Sequence, residues 1–530
     1  LWEADFNQIQ RQILDPTSEL YDYGPEYIII FQSSHKLLNK YNKLVQKDAI
    51  QLADEEISNI QDLISSITNH TNAKIIIYNY SEIDDAVFGN FSSKVEYSFL
   101  YQLRKLNYKL MELSMTSNDF FICDLSSIQN EIGKSNLFQA SIYINTEMVL
   151  SFDALPNVAY KTVELINSSL GNFKKCVILD LDNTTWGGII GDDGLENIQI
   201  GSLGIGKAFT EFQYWIKKLQ QRGIIVAVCS KNTESIAKEP FEKHPDMVLK
   251  LKDISVFKAN WDNKADNIRE IQSILNIGFD SMVFLDDNPF ERNMVRSNLP
   301  LVEVPELPED PAEYLEFLYQ LNLFETSSVS EEDKERTRLY QIEDKRNTTK
   351  KKFVDEDSFL ENLEMVSEIS TFNKFNAPRV AQLSQRSNQF NLRTIRYSES
   401  EIINISNSEK NHSFTFTLND KFGENGLICV IILKNRENKS LFIDTWFMSC
   451  RVLKRGMENF VLNTLVDYAK KSNFDQLMGE YIPTQKNVLV ENHYEDLGFI
   501  ENEGNWILNI KEFNKKKSFI QVKTIENEQN

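Results

Sequence analysis

Short apolar runs that alternate with helix-length stretches constrain this chain more than anything else in its sequence. Residues 27–31 form one run, just after Gly24-Pro25; residues 73–78 form a second and residues 119–123 a third, which ends at Asp124. Between them, 46–69 carries Leu52, Ile57, Ile60, Leu63 and Ile64 at mostly helical spacing, and 93–116 also reads as a helix. The alternation then resumes. Residues 176–179 read as a strand, 206–221 as a helix, 224–229 as a strand and 232–239 as a helix stopped by Pro240. A short strand is expected at 247–249, a helix at 263–276, a strand at 281–285 and a helix at 289–297. Uniformly apolar strands linked by helices imply a parallel sheet covered on both faces. In such doubly wound sheets, ligands sit at the C-terminal ends of the strands.

Beyond residue 300 the texture changes. Residues 303–315 are acidic and carry Pro305, Pro308 and Pro311, a linker or domain edge. Residues 331–346 are dense in charge and read as a solvent-facing helix. Strands at 413–417, 427–433 and 440–443 point to antiparallel pairing and an α+β block. The expected fold class is therefore α/β in three domains: 1–170, 171–330 and 331–520, with a frayed tail at 521–530.

The 530 residues carry 57 Lys and Arg against 78 Asp and Glu, a formal net charge of −21. That excess argues against a general nucleic-acid binder, which needs a basic face. No apolar run approaches the length of a membrane span, and no signal-peptide pattern opens the chain. Cys123, Cys176, Cys229, Cys429 and Cys450 are odd in number and lack metal-ligand spacing, which fits reduced thiols and a cytoplasmic setting. The chain opens on Leu1 rather than Met, so the first strand of its first domain is expected to be missing.

The apolar strand at 176–179 runs straight into Asp180-Leu181-Asp182-Asn183-Thr184. Two carboxylates two residues apart at a strand end can hold a cation, attack phosphorus or move a proton. The same residues also suit a strand-terminal turn. Three later features join them. Ser230 ends the next strand and offers a hydroxyl to a phosphoryl oxygen, or caps a helix. Lys264 opens a helix after Trp261-Asp262-Asn263. Asp286-Asp287 close a buried strand ahead of Asn288-Pro289, and adjacent acids there repel unless a cation or lysine sits between them. Together the four elements describe a magnesium site beside a phosphate cradle.

The block resembles the haloacid dehalogenase superfamily of phosphohydrolases and phosphotransferases. Residues 180–188, 191–195, 260–264 and 286–292 are similar to the motifs of its FkbH-like family, subfamily IIIC. The resemblance implies Asp180 as nucleophile, Asp182 as acid and base, and Ser230 and Lys264 as phosphate-binding groups. It implies Mg2+ held by Asp180, Asp286 and the Asp182 carbonyl, with Thr184, Asp287 and Asn288 in support. Thr185 departs from the family's usual Leu. Only 45 residues separate Thr184 from Ser230, too few for a cap domain, so an open site is expected.

In the third block, a turn at Arg451 to Gly456 precedes a helix, and Tyr494 to Phe499 reads as a helix stopped by Gly498. These stretches resemble the GNAT acyltransferase fold. The resemblance implies Arg451, Arg455 and Gly456 at the diphosphate of coenzyme A or a phosphopantetheine thiol, and Tyr494 as the acid for the departing thiolate. Cys450, Cys229 and Cys176 are the thiols that an enzyme thioester would use, and all three read better as core residues. The N-terminal block, from Asp15-Pro16 to Tyr21, is similar to the FkbH-like N-terminal region, itself akin to SGNH hydrolases. Ser33-Ser34-His35 follow its strand without a complete Ser–His–Asp set, and Ser34 suits a helix cap.

The reading that follows is a Mg-dependent phosphatase or phosphotransferase coupled to acyl transfer. FkbH-like proteins are described as loading a glyceryl group from 1,3-bisphosphoglycerate, a phosphorylated three-carbon acid, onto an acyl-carrier protein thiol. The alternatives are a free phosphatase of a small sugar or acid phosphate with a separate CoA-dependent N-acetyltransferase domain, and a non-catalytic docking protein.

Overall fold

A computed structural model describes residues 1–5, 7–329, 333, 335–350, 352–449 and 452–523. The chain separates into two compact units, Leu1–Ile166 and Asn167–Asn530. The first holds a three-stranded parallel sheet in the order β1 (Tyr27–Ile30), β2 (Lys74–Tyr78), β3 (Phe120–Cys123). Its helices Leu52–His70 and Phe99–Ser114 bury Ile57, Ile60, Leu63, Leu103 and Leu106 against the sheet residues Ile75 and Ile77. The helix after β1 is capped by Ser33, which accepts from the His35 and Lys36 N–H groups, not by Ser34. Ser34 instead donates to the Ser81 carbonyl at 2.7 Å.

The second unit contains two sheets. The first comprises β4 (Cys176–Leu179), β5 (Ile225–Ser230), β6 (Val256–Ala259) and β7 (Met282–Leu285), all parallel, in the order β6-β5-β4-β7. The chain winds from β4 through β5 to β6 on one side, then returns to place β7 on the other side of β4. Connections on the two sides of β4 therefore diverge, and a crevice opens beyond its C-terminal end. Leu179 pairs with Val228 on one side and Leu285 on the other, so β4 and β7 end level just before Asp180 while β5 runs two residues further, to Ser230.

Two expectations for this block are corrected. Residues 247–249 are not a strand: Met247 and Leu249 are buried, but the N–H groups of Val248 and Leu249 donate to the side chain of Gln213, at 3.0 and 3.2 Å. A buried amide has taken the place of a strand neighbour, and the third strand lies at β6 instead. The helix expected to stop at Pro240 runs on, Glu234–Lys243, because its last turn packs Phe241 into the core and closes with the His244 N–H on the Pro240 carbonyl.

The second sheet of this unit has nine strands, β8 (Val366–Ser367), β9 (Ile369–Ser370), β10 (Asn411–Asp420), β11 (Gly423–Arg436), β12 (Ser440–Met448), β13 (Gln476–Gly479), β14 (Ile500–Asn502), β15 (Asn505–Asn509) and β16 (Gln521–Val522). Its path is β14-β15-β13-β12-β11-β10-β8-β16, with β9 also on β10. Most pairs are antiparallel, as expected; β12 with β13 and β8 with β16 are parallel. The β16 pairing corrects the expected frayed tail at 521–523. The Gln521 N–H donates to the Met365 carbonyl at 2.9 Å, and Ile520 is buried beneath; residues 524–530 lie outside the described residues.

The charged segment forms the helix Arg336–Lys350 and is not simply solvent-facing. Leu339, Tyr340 and Thr337 are buried, and the Arg346 guanidinium pairs with Glu343 and Asp420.

Candidate active site

The C-terminal ends of β4, β6 and β7 deliver their polar residues to one place. Asp180 follows β4, and its N–H donates to the Leu285 carbonyl at the end of β7, at 2.9 Å. That bond holds Asp180 beside Asp286, the first residue after β7. Lys264 arrives from the loop after β6, at the start of the helix Lys264–Leu275, which Asn263 caps through the Ala265 N–H. Its ammonium lies 2.9 Å from Asp180 Oδ2 and 2.6 Å from Asp286 Oδ2. Lys264 is 2% exposed and Asp286 is 0% exposed. One oxygen from each of Asp180, Asp286 and Asp287 lies within 4.8 Å of the others.

Three carboxylates facing one ammonium leave excess negative charge in a buried place. Burial, then the neighbouring Asp180, push the Asp286 carboxyl up to about 7 against the opposing pull of Lys264. Burial and Asp180 also raise Asp287. Burial pulls Lys264 down, but Asp180 and Asp286 together outweigh it and hold it above its ordinary value. Asp180 Oδ1 is buried and has no hydrogen-bond partner among the described residues. An orphaned carboxylate oxygen, net negative charge and an all-oxygen donor set fit a hard divalent cation such as Mg2+.

The neighbours fix this cluster. Thr184 Oγ1 bonds Asp287 Oδ1 at 3.1 Å and accepts the Asp287 N–H at 3.0 Å. Thr185, the departure from the usual Leu, donates to the Asp180 carbonyl at 2.6 Å. Asn288 donates its N–H to Asp286 Oδ1 at 2.8 Å, and its side chain caps the helix Pro289–Asn298. The Arg292 guanidinium ties down the Asp286 and Asp287 carbonyls at 2.8 and 2.6 Å. Ser230 ends β5 and is buried, and the next helix starts after Thr233, which takes the N-cap position without a side-chain capping bond. Between β4 and β5 the described residues make a small bridge of Gly187 with Gln199 and the helix Gly204–Gln221, with no inserted cap domain.

Asp182 does not join the three clustered carboxylates. Its side chain accepts from the Trp186 indole, the Ile190 N–H and the Asn232 amide. Burial raises its carboxyl, while the Ile190 and Trp186 donors oppose that. Trp186, Asn232 and Arg292 were not legible as site residues. Their traces are Trp186 and Arg292 inside the stretches 180–188 and 286–292 that carry the family resemblance, and Asn232 two positions after Ser230.

The residues singled out in the third block are placed differently. Arg455 is 5% exposed and pairs with Glu343 and Asp420, so its guanidinium is taken up inside the fold. Tyr494 is 1% exposed, and its hydroxyl is buried beside the Glu480 backbone. Its ring stacks near Trp506 and presses on Gly479, where an added Cβ would fall 2.3 Å from Tyr494 Cζ. Gly456 takes φ +73° at the start of the helix Met457–Lys471. Arg451 and Cys450 lie outside the described residues. Cys176, Cys229 and Cys429 are buried, and burial pushes each thiol up, away from thiolate reactivity.

Comparison with known proteins adds the following. The family described as FkbH, N-terminal domain, matches residues 1–167. The crystal structure of the N-terminal part of the protein BF1531 from Bacteroides fragilis, containing a phosphatase domain complexed with Mg, is 59% identical. The match covers 62% of this chain and 86% of that one, with a TM-score of 0.60. The ribosomal-protein-S18-alanine N-acetyltransferase of Escherichia coli matches at 17% identity over 29% of this chain and 99% of its own, TM-score 0.23. A GNAT-family acetyltransferase from Staphylococcus aureus matches at 13% identity over 27% and 99%, TM-score 0.23. No curated protein matches the chain.

Proposed function

For a chain that belongs to the FkbH-like family and carries a HAD-type phosphatase domain, we propose Mg-dependent phosphoryl chemistry at Asp180, coupled to acyl transfer elsewhere in the chain. The observation that carries the reading is the buried Asp180 Oδ1, without a partner among the described residues, beside Asp286, Asp287 and Lys264. BF1531 supports it as a 59% identical protein with a phosphatase domain complexed with Mg.

In this reading the Asp180 carboxylate attacks phosphorus and forms an aspartyl-phosphate. Lys264 fixes its aim through Oδ2. The Ser230 hydroxyl holds a phosphoryl oxygen at the end of β5. Asp182 protonates the leaving oxygen and then takes a proton from the water that releases phosphate. Mg2+, held by Asp180 and Asp286 with Asp287 and the Asp182 carbonyl as further donors, supplies charge neutralisation for the phosphoryl oxygens when bound.

The finer reading is that the phosphoryl substrate is 1,3-bisphosphoglycerate and that its glyceryl group is loaded onto an acyl-carrier protein thiol. It rests on the sequence resemblance of the middle and third blocks. A second reading, a free phosphatase of a small acid or sugar phosphate, is favoured by the third block itself, where Arg455 is spent on internal ion pairs and the Tyr494 hydroxyl is enclosed. One experiment separates them: the mass of an acyl-carrier protein after incubation with phosphorylated glycerate, Mg2+ and the protein. A glyceryl adduct supports loading; phosphate release with an unchanged carrier leaves the phosphatase.

A further inference from the structure

The surroundings of Asp182 specify which of its oxygens handles a proton, an inference that rests on the phosphoryl-transfer reading above. Oδ1 accepts from Trp186 Nε1 at 3.0 Å and from the Ile190 N–H at 3.0 Å. Oδ2 accepts from Asn232 Nδ2 at 3.1 Å. A carboxylate oxygen has about two lone-pair directions. Oδ1 has both engaged by donors that have nowhere else to turn, whereas Oδ2 keeps one.

The donors are themselves held. Trp186 is fully buried, packs edge-on against Phe241, and its backbone bridges to Asp182. Its backbone N–H, distinct from the indole donor, reaches back to the Leu181 carbonyl at 3.3 Å. The Asn232 side chain is buried, and its Oδ1 accepts the Thr233 N–H at 3.0 Å, which fixes the amide end that faces Asp182. We propose that Trp186 and Asn232 are positioning residues that hold Asp182 in one orientation and confine its transferable proton to Oδ2.

In the first half, the bond from Asp180 oxygen to phosphorus forms, the bond from phosphorus to the leaving oxygen breaks, and the proton on Asp182 Oδ2 passes to that oxygen. In the second half, a water oxygen bonds to phosphorus, the Asp180–phosphorus bond breaks, and the water's proton returns to Oδ2. Oδ1 takes no part, because Trp186 and Ile190 occupy it. A buried indole N–H that only needed an acceptor would stabilise the fold without influencing this step.

The distinguishing readout is dependence on the leaving group. Para-nitrophenyl phosphate departs readily without a proton; phenyl phosphate needs one. Both are assayed with Mg2+ in wild type and in Asp180→Asn. Turnover by wild type and its loss in Asp180→Asn secure the parent reading, and absence of either result sinks that reading before positioning is tested. With it secured, Trp186→Phe should lower kcat on phenyl phosphate about ten-fold more than on para-nitrophenyl phosphate, within the range acid catalysis supplies, with KM little changed. Asn232→Ala should act in the same direction and decides the matter if Trp186→Phe does not fold. In an Asp182→Asn background neither substitution should alter the ratio further. Equal losses on both substrates, no loss, or an effect that persists without Asp182 would overturn the proposal.

Discussion

The carboxyl ends of β4 to β7 and the end of β10 beside the helix Arg336–Lys350 both bury ionisable side chains, and they balance them differently. At β10, Arg346 and Arg455 meet Glu343 and Asp420, two cations against two anions. At the ends of β4 to β7, Asp180, Asp286 and Asp287 meet Lys264 alone, and Asp180 Oδ1 has no partner among the described residues. A closed ion cluster holds structure together. An open one carries a standing electrostatic cost that a ligand relieves, which is what a site for a cation and a phosphate requires.

The sharpest way to break this comparison is to neutralise one acid on each side. Asp180→Asn should cut Mg-dependent phosphate release by a factor of about a thousand or more while leaving the unfolding midpoint level or higher, since a like charge has been removed. Asp420→Asn should do the reverse: it leaves Arg346 and Arg455 to share Glu343, and the loss should approach about 3 kcal/mol, read by denaturant unfolding, with phosphate release per folded molecule unchanged. A large loss of activity in Asp420→Asn would show that the two regions are not independent.

Next in size is a pair of opposite pH slopes. Asp286 is raised in the metal-free fold from an ordinary 3.8 to about 7, so its contribution is fully present at low pH and is lost as pH rises through about 7. Mg2+ should flatten that fall. His493, enclosed by Phe390, Trp446 and Tyr494, is lowered by burial from 6.5 to about 3. Its contribution is present above 6.5 and is lost as pH drops from there toward 3. Thermal melts across pH with and without EDTA test both, and His493→Phe should flatten the acid slope alone.

The smallest expected effect belongs to Tyr494. Its enclosed hydroxyl has at most the Glu480 backbone to bond, so Tyr494→Phe should change stability by no more than about 1 kcal/mol and should leave phosphate release unchanged. If that variant abolishes acyl loading onto a carrier, the hydroxyl reaches a thiol in a conformation other than this one.

The acidic pocket was legible because its residues lie at strand ends, where local sequence and sheet topology say the same thing: Asp180 and Asp286 each follow an uninterrupted apolar run. What was not legible depends on partners distant in sequence. The apolar residues at 247–249 read as a strand because nothing local announces that Gln213 will take their N–H groups. Arg346 and Arg455 read as surface or ligand-binding charges because Asp420 reaches them only in the folded sheet. The role of the Trp186 indole was not legible, since a donor to Asp182 is visible only once the turn has closed.

Quenching the protein with acid during turnover of a phosphate monoester in Mg2+, then mapping the modified peptide by mass, reads the nucleophile itself. The account predicts one phosphoryl group, on the peptide that contains Asp180, absent from Asp180→Asn and from samples with EDTA. Turnover at full rate with a phosphoryl group on another residue, or in Asp180→Asn, would contradict it.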